Sequence, residues 1–259
     1  MEKKKGISGS TLKMIAIVTM LIDHIGAAVL ARLLMVNGLG ELDQTNTDAI
    51  MQWLSANGAL YGTYTVMRMI GRVAFPIFCF LLVEGFLHTH DVKKYAMRLG
   101  LFALLSEIPF DLAFSSKILE FNYQNVFFTL FIGLLTMIAY RAVEEKEEWG
   151  QAWKVILYIL IVAAGMALAY FLKTDYAEKG VFCIMVLYIF RKKKMWQLIA
   201  GCASFIWETP ALFGFIPIAF YNGTRGWKMK YFFYIFYPAH LLILYLLCYF
   251  MRISGYSAV

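Results

Sequence analysis

The stretch LKMIAIVTMLIDHIGAAVLARLLMV, residues 12–36, decides how the rest of the chain is interpreted. It has about 25 residues and is apolar enough to cross a bilayer, yet it carries Asp23 and His24 near its middle. An Asp at the centre of an inserting helix costs about 3 kcal/mol, so both side chains should face protein or water inside a bundle. Asp23 and His24 are therefore the first candidates for a functional site.

The composition extends this interpretation to the whole chain. Of the 259 residues, 61% are hydrophobic and 16% are charged, against about 25% charged in a soluble domain. Apolar runs of membrane-crossing length recur from end to end, which predicts an all-α, polytopic transmembrane bundle forming one domain over residues 1–259. The net charge of +7 comes mostly from short loops, where membrane topology explains it, so no nucleic-acid partner is expected.

The distribution of charge predicts the topology. Lysines precede the first apolar run, and residues 37–64 contain acidic residues but no Lys or Arg, so we expect a cytoplasmic N-terminus, an outer loop at 37–64 and a multi-pass protein of the cell (cytoplasmic) membrane. The last third of the chain has short, interrupted apolar segments, as occurs where backbone lines a cavity. Nine helices place the C-terminus outside, and fusing two of the short ones gives eight. The predicted helices are 12–36, 65–88, 99–115, 126–142, 153–172, 181–190, 196–206, 211–221 and 231–251.

The charged residues within the apolar segments predict a network. Arg68 and Arg72 lie one turn apart in the second helix, and Glu107 and Asp111 lie one turn apart in the third. Because these helices run antiparallel, the two pairs should meet on the outer side of the bundle. Arg32, near a helix end, is expected to extend its charge to the membrane interface.

The histidines are the candidates for chemistry. Helical geometry points Asp23 and His24 about 100° apart, so each needs its own partner. An imidazole within the membrane can exchange a proton near neutral pH, and His240 lies at a similar depth on another helix. No HExxH or Glu-x-x-His spacing accompanies them, and the four cysteines have no ligand spacing, so no metal site is expected.

Residues 222–230, NGTRGWKMK, resemble an anion site because they offer turn amides, three cations and a tryptophan. Ordinary topogenic charge is the competing explanation.

Four stretches of this sequence resemble the TraX family, which is known for acetylating the N-terminus of pilin. They are LKMIAIVTMLIDHIGA (12–27), GRVAFPIFCFLLVEGFLHTHDVKKYAMRLGLFALLSEIPFDLAF (71–114), NVFFTLFIGLL (125–135) and FYNGTRGWKMKYFFYIFYPAHLLILY (220–245). The family is grouped with integral-membrane acyltransferases that use cytoplasmic acyl-CoA and an intramembrane histidine.

The resemblance implies that acetyl-CoA is the co-substrate and that a peptide N-terminus or a cell-surface glycan is the acceptor. His24 falls in the catalytic position, as a general base or as a transient carrier of the acetyl group, and Asp23 beside it is a further catalytic candidate. A shared cavity would be lined by Arg72, Glu84, Glu107, Asp111, Asn222, Arg225 and His240. The phosphates of acetyl-CoA are assigned to Arg225, Lys228, Lys230 and Arg98.

Two other classes use the same inventory of buried polar residues. A proton-coupled transporter or lipid flippase also needs buried carboxylates, histidines and broken helices, although no inverted repeat is visible in this sequence. A purely structural assembly protein is the third alternative, and it predicts that the buried polar residues matter only for stability.

Overall fold

The computed structural model describes residues 5–43, 45–227 and 230–256, with the backbone alone for Lys230 and Tyr231. This part of the chain is a helical bundle without strands, as the composition predicts. Its α-helices are α1 (Gly9–Ile25), α2 (Ala31–Val36), α3 (Thr47–Gly71), α4 (Ala74–His88), α5 (Val92–Ser115), α6 (Val126–Glu144), α7 (Gln151–Phe171), α8 (Ala177–Ile189), α9 (Lys194–Ser204), α10 (Phe215–Ala219) and α11 (Lys230–Phe250).

The long helices alternate between two sides of the bundle, here called the N-terminal side, where α1 begins, and the far side. Within the described residues, five stretches are long and apolar enough to cross a membrane, which fits a multi-pass membrane protein. They are Gly9–Val36, Thr47–His88, Val126–Glu144, Gln151–Phe171 and Phe232–Phe250. Each of the nine predicted segments corresponds to helical structure, the eighth being a 3-10 turn (Thr209–Gly214) followed by α10.

The first predicted helix is continuous but is locally widened. A π-helical turn, Gly26–Leu30, follows His24 and connects α1 to α2. Gly26 in this turn lies against α3, since a methyl group there would be 3.3 Å from Cβ of Met67. Turns of this kind are rare and frequently accompany functional sites.

The expected outer loop at residues 37–64 is wrong, because α3 begins at Thr47. The side chain of Asn46 caps the helix by accepting a hydrogen bond from the backbone N–H of Ala49 at 3.1 Å. The predicted helix at 65–88 is in turn interrupted between Gly71 and Ala74. Pro76 explains this break, because it has no N–H to donate to the carbonyl of Arg72 and its ring crowds that carbonyl.

The core lies between α4, α6 and α8, where Ile77, Leu134 and Ile184 are fully buried. Gly133 lets α6 and α8 approach closely, because a methyl group at this position would lie 2.5 Å from Cδ1 of Ile184. Packing of this kind, between apolar side chains and small residues, is how helices associate in a membrane.

The last third of the chain forms half-depth elements, as its short segments predict. The α8 helix starts beside the far-side loop, α9 returns, and the 3-10 turn with α10 ends at Phe220, whose carbonyl accepts from the N–H of Ile7 at 2.9 Å. Trp207, just after α9, has its ring 6.1 Å from that of Tyr176. This contact places the end of α9 beside the far-side loop that carries Tyr176.

Arg32 does not extend to the interface as predicted, because its side chain is fully buried. Its guanidinium donates to the carbonyls of Ala28 and Ala113 at 2.8 and 2.5 Å and to that of Tyr256 at 2.9 Å. It also donates to the hydroxyl of Ser116 at 2.9 Å. Arg32 thus ties the π-turn to the end of α5 and to the C-terminal segment.

Candidate active site

His24 lines a cavity of about 270 Å³ that lies between α1, α3, α4, α5 and two far-side loops. Its apolar wall includes Met20, Phe75, Phe78, Phe110 and Phe114, and its polar wall includes Asp23, His24, Arg68, Arg72, Tyr123, Asp175 and Tyr176. Because Tyr123, Asp175 and Tyr176 belong to loops at the far-side ends of helices, the cavity lies toward the far side. His24, at about 22 Å along the helix from Gly9, is therefore nearer to that side than the mid-membrane depth that the sequence suggested.

Asp23 forms an ion pair with Arg68, with 2.5 Å between the carboxylate and guanidinium atoms. Helices α1 and α3 approach so closely here that a methyl group at Gly71 would overlap the Asp23 side chain. Arg68, one turn earlier on α3, is consequently level with the carboxylate. Asp23 thus has its own partner on a neighbouring helix, as the sequence analysis expects.

Arg72 has a partner that the sequence did not predict. Its Nε lies 3.2 Å from Oε1 of Glu208, and its Nη1 lies 3.5 Å from the hydroxyl of Tyr176. Glu208 precedes the 3-10 turn in the interrupted last third, so this pair links the α3–α4 break to the half-depth elements.

The imidazole of His24 is hydrogen-bonded to that of His240 on α11. Nδ1 of His24 lies 2.6 Å from Nε2 of His240, and the two rings are parallel with centroids 4.9 Å apart. Nδ1 of His240 lies 2.7 Å from the carbonyl oxygen of Phe236. A carbonyl oxygen only accepts, so Nδ1 of His240 carries a proton, its Nε2 is the acceptor, and Nδ1 of His24 donates. This order leaves the lone pair of His24 on Nε2, the nitrogen not used by His240.

The far-side wall of the cavity is held by Tyr123 and Asp175, which lie in loops outside the membrane-spanning helices. The hydroxyl of Tyr123 donates to Oδ1 of Asp175 at 2.6 Å. Burial raises the pKa of Asp175, and the hydrogen bond from Tyr123 opposes that shift. Burial likewise raises the pKa of Tyr123, which keeps its hydroxyl protonated as the donor.

The predicted pairing of Arg68 and Arg72 with Glu107 and Asp111 is wrong. Glu107 accepts a short hydrogen bond from the side-chain amide of Asn125, and Asp111 accepts from the backbone N–H of Glu120 at 2.8 Å. Neither carboxylate lines the cavity. The pairing fails because Asp23 and Glu208 lie closer to the arginines, a consequence of helix packing that spacing along single helices does not reveal.

A second polar region lies on the N-terminal side. It contains three residues that were expected to line the same cavity as His24 and do not, namely Glu84, Asn222 and Arg225. Glu84 interacts with the hydroxyl of Tyr221, and Arg98 interacts with Tyr234 and has a buried Nε without a hydrogen-bond partner. The side chain of Asn222 accepts from the backbone N–H of Thr224 at 3.0 Å.

In the same region, the backbone of Arg225 caps α1. Its carbonyl accepts from the N–H of Ser10 at 3.0 Å, and the carbonyl of Thr224 accepts from that of Gly9 at 2.8 Å. The free amides of the helix start are therefore used by the protein itself. Lys228 and the side chain of Lys230, also assigned to coenzyme A, lie outside the described residues.

The sequence analysis missed Tyr123, Asp175 and Tyr176 as cavity residues and Glu208 as the partner of Arg72. One signal was available for Glu208, because it is an acidic residue beside an interruption in the last third of the sequence. Asp175 and Tyr176 instead lie in the loop after α7, where Lys173, Tyr176 and Ala177 all have positive φ. Positive φ at residues other than glycine is concentrated at functional sites, but no sequence pattern predicts it.

The fold and the cavity define a class, a polytopic helical membrane protein with a histidine in a polar pocket between its helices. A family model described as TraX protein matches residues 8–248, so the chain belongs to the TraX family. It is 26% identical over 278 aligned positions to a protein of Dichelobacter nodosus named probable fimbrial assembly protein FimC, serogroup H1, covering 94% of this chain and 97% of that relative. No solved structure matches.

Proposed function

We propose that this protein is a membrane-embedded acetyltransferase that moves an acetyl group from acetyl-CoA to an acceptor, with His24 as the general base. The observation that supports the proposal most is the order of hydrogen bonds from the Phe236 carbonyl through His240 to His24. It leaves Nε2 of His24 with a lone pair at a cavity, which is what a general base requires. His240 acts as a positioning residue that fixes the tautomer of His24.

The proposed orientation has the N-terminal side in the cytoplasm, because of the lysines before α1. The cavity then faces the outside, where the acceptor would arrive. A peptide N-terminus or a cell-surface glycan suits this arrangement. The relative named as a fimbrial assembly protein favours the peptide.

In this proposal acetyl-CoA supplies an activated thioester. The cavity volume of about 270 Å³ equals about nine water molecules, enough for an acetyl group and a small acceptor but not for a nucleotide. The phosphates would bind on the N-terminal side to Arg98 and Arg225, joined by Lys228 and Lys230. The unpartnered Nε of Arg98 supports an anion there, because a buried unsatisfied donor costs about 1–3 kcal/mol.

His24 and the arginines would divide the chemistry. Nε2 of His24 accepts the proton of the acceptor as the new bond to the acetyl carbon forms, and it returns that proton to the departing sulfur as the C–S bond breaks. Arg68 and Arg72 line the same cavity and would stabilise negative charge on the acetyl oxygen. The ring of His24 ends in its starting tautomer.

The proposal is tested on the full-length protein in lipid nanodiscs with acetyl-CoA and hydroxylamine as a small acceptor. His24→Ala should reduce the turnover number at least about 100-fold, because general-base catalysis contributes 10²–10⁴-fold. His240→Ala should have a smaller effect, since it removes only the group that orients the base. His88→Ala is the matched control, because His88 lies on the N-terminal side with its side chain 71% exposed. Retention of transfer by a folded His24→Ala variant contradicts the proposal.

A thermal-shift titration with coenzyme A separates the acetyltransferase from a proton-coupled transporter or lipid flippase. A ligand that binds the folded state raises the apparent stability. Only the acetyltransferase requires a rise in Tm with coenzyme A.

A further inference from the structure

A groove of about 420 Å³ lies on the far side, next to the cavity of His24. The two spaces share Tyr123 and Tyr176 as lining residues. Both side chains are fixed, Tyr123 by its hydrogen bond to Asp175 and Tyr176 by a parallel stack on Phe75 with 3.6 Å between ring centroids. Tyr123 and Tyr176 thus form a fixed boundary that the groove shares with the cavity of His24.

Two lysines line the groove, together with one carboxylate, that of Glu178. Nζ of Lys173 donates to Oδ1 of Asn122 at 2.8 Å, and Nζ of Lys179 lies 4.9 Å from the centre of the Trp207 ring. Among the described residues, neither ammonium is in an ion pair. Both remain available for an anion.

The backbone at Lys173 supports a role for its side chain. Its φ of 52° is the left-handed conformation that ends α7, a position where glycine is the usual residue. A side chain at such a position is disfavoured relative to glycine. The loop nevertheless presents a lysine here, at the rim of the groove.

The groove also lies at the end of a membrane-spanning helix. The last residues of α7, Tyr170 and Phe171, are 61% and 77% exposed, and α7 is long and apolar enough to cross a membrane. One edge of the groove thus borders lipid, and the other borders the polar loops. In the proposed orientation the far side is outside the cell. Lysines there are an exception to the usual preference for positive charge in the cytoplasm.

From these observations we infer that the groove binds the phosphate group of a membrane-anchored amphiphile between Lys173 and Lys179. The apolar chain of the ligand lies along Phe171, and its polar head points between Tyr123 and Tyr176 toward His24. The inference rests on the proposed function. Of the two proposed acceptors it selects a glycan carried on a phosphate-bearing lipid, in place of the peptide that the name of the relative favours.

Native mass spectrometry of the full-length protein in detergent tests the binding directly. The probes are dioleoyl phosphatidylglycerol, dioleoylglycerol with the same chains but no phosphate, and soluble glycerol phosphate. Wild type should bind phosphatidylglycerol at least about tenfold more tightly than either other probe. The double variant Lys173→Gln/Lys179→Gln should lose that preference. Lys117→Gln should keep it, because Lys117 lies on the same side, outside the groove, and pairs with Glu120 at 2.5 Å.

Equal binding of phosphatidylglycerol by the double variant overturns the inference, as does equal binding of dioleoylglycerol. Binding of glycerol phosphate as tight as that of phosphatidylglycerol assigns the site to soluble phosphate and overturns the membrane-anchored part. Acetyl transfer to a peptide N-terminus with an unchanged KM in the double variant also contradicts the inference. The binding measurement by mass spectrometry does not depend on acetyl transfer. An active His24→Ala variant would therefore overturn only the proposed function.

Discussion

The polar region on the far side of the bundle is held together by side chains, whereas the one on the N-terminal side is held together by backbone groups. On the far side, side chains join six parts of the chain through the pairs Asp23–Arg68 and Arg72–Glu208 and the Tyr123–Asp175 and His24–His240 hydrogen bonds. On the N-terminal side, backbone carbonyls of residues 220–225 cap the start of α1.

The difference suggests a division of labour. Interlocked side chains fix a small number of atoms in one arrangement, as catalysis requires. Backbone capping instead holds a surface in place while leaving side chains such as Arg98 available for a ligand that enters and leaves. The predictions below test this distinction, from the largest expected effect to the smallest.

Arg32→Leu should have the largest effect, because it removes a buried side chain that links several elements on the far side. The carbonyls of Ala28, Ala113 and Tyr256 would lose their donor in a buried setting, so the free energy of unfolding should fall by about 3 kcal/mol or more. Thermal or denaturant unfolding in detergent measures it. Arg141→Leu, on an exposed surface pair, should change it by less than about 1 kcal/mol. Equal effects of the two variants would contradict the buried clamp.

Asp23→Asn should destabilise the protein by about 2 kcal/mol, because Arg68 would lose its carboxylate in a partly buried site. Denaturant unfolding of Asp23→Asn, of Arg68→Gln and of the double variant gives the comparison, and the double variant should lose less stability than the two single variants together. Asp48→Asn, exposed in the first turn of α3, is the control. A double variant that loses at least the sum of the two single losses would show that the pair is not the cause.

Arg98→Gln should raise the KM for acetyl-CoA about tenfold with little change in turnover, because one charge-assisted contact is worth about 1.4 kcal/mol or more. Steady-state kinetics with hydroxylamine measures both parameters. Lys93→Gln on the same helix should leave KM unchanged. A fall in turnover without a change in KM would move Arg98 out of the binding role.

Ser8→Ala should have the smallest effect, a loss of about 1 kcal/mol of stability. Its hydroxyl accepts from the N–H of Thr11 at 3.2 Å and caps α1. Ser55→Ala on the exposed face of α3 should be neutral within about 0.5 kcal/mol. A larger loss in Ser8→Ala than in Asp23→Asn would reverse the comparison between the two regions.

Most of the fold could be predicted from the sequence because apolar length is a strong signal in membrane proteins. The nine helical segments follow from it, and the errors lie where that signal is weak. Residues 47–64 mix Gly, Asn and Thr with apolar residues, which predicts a loop. The α3–α4 break was missed although Pro76 lies in the first turn of the helix that follows it. Arg32 was misplaced for another reason, since its position near a helix end does not reveal that α5 and the C-terminal segment cover it.

The sequence by itself determined that this is a polytopic helical membrane protein. It also determined that His24 lies in an apolar helix, where a polar side chain costs free energy unless it faces protein or water. Hydrophobic length and the cost of buried charge are local properties, so they can be read along one segment. Only the tertiary structure decided the partners, because which helices touch and at what level depends on the π-turn, on Pro76 and on small residues such as Gly71. For that reason Asp23 meets Arg68, His24 meets His240, and Glu107 and Asp111 lie outside the cavity.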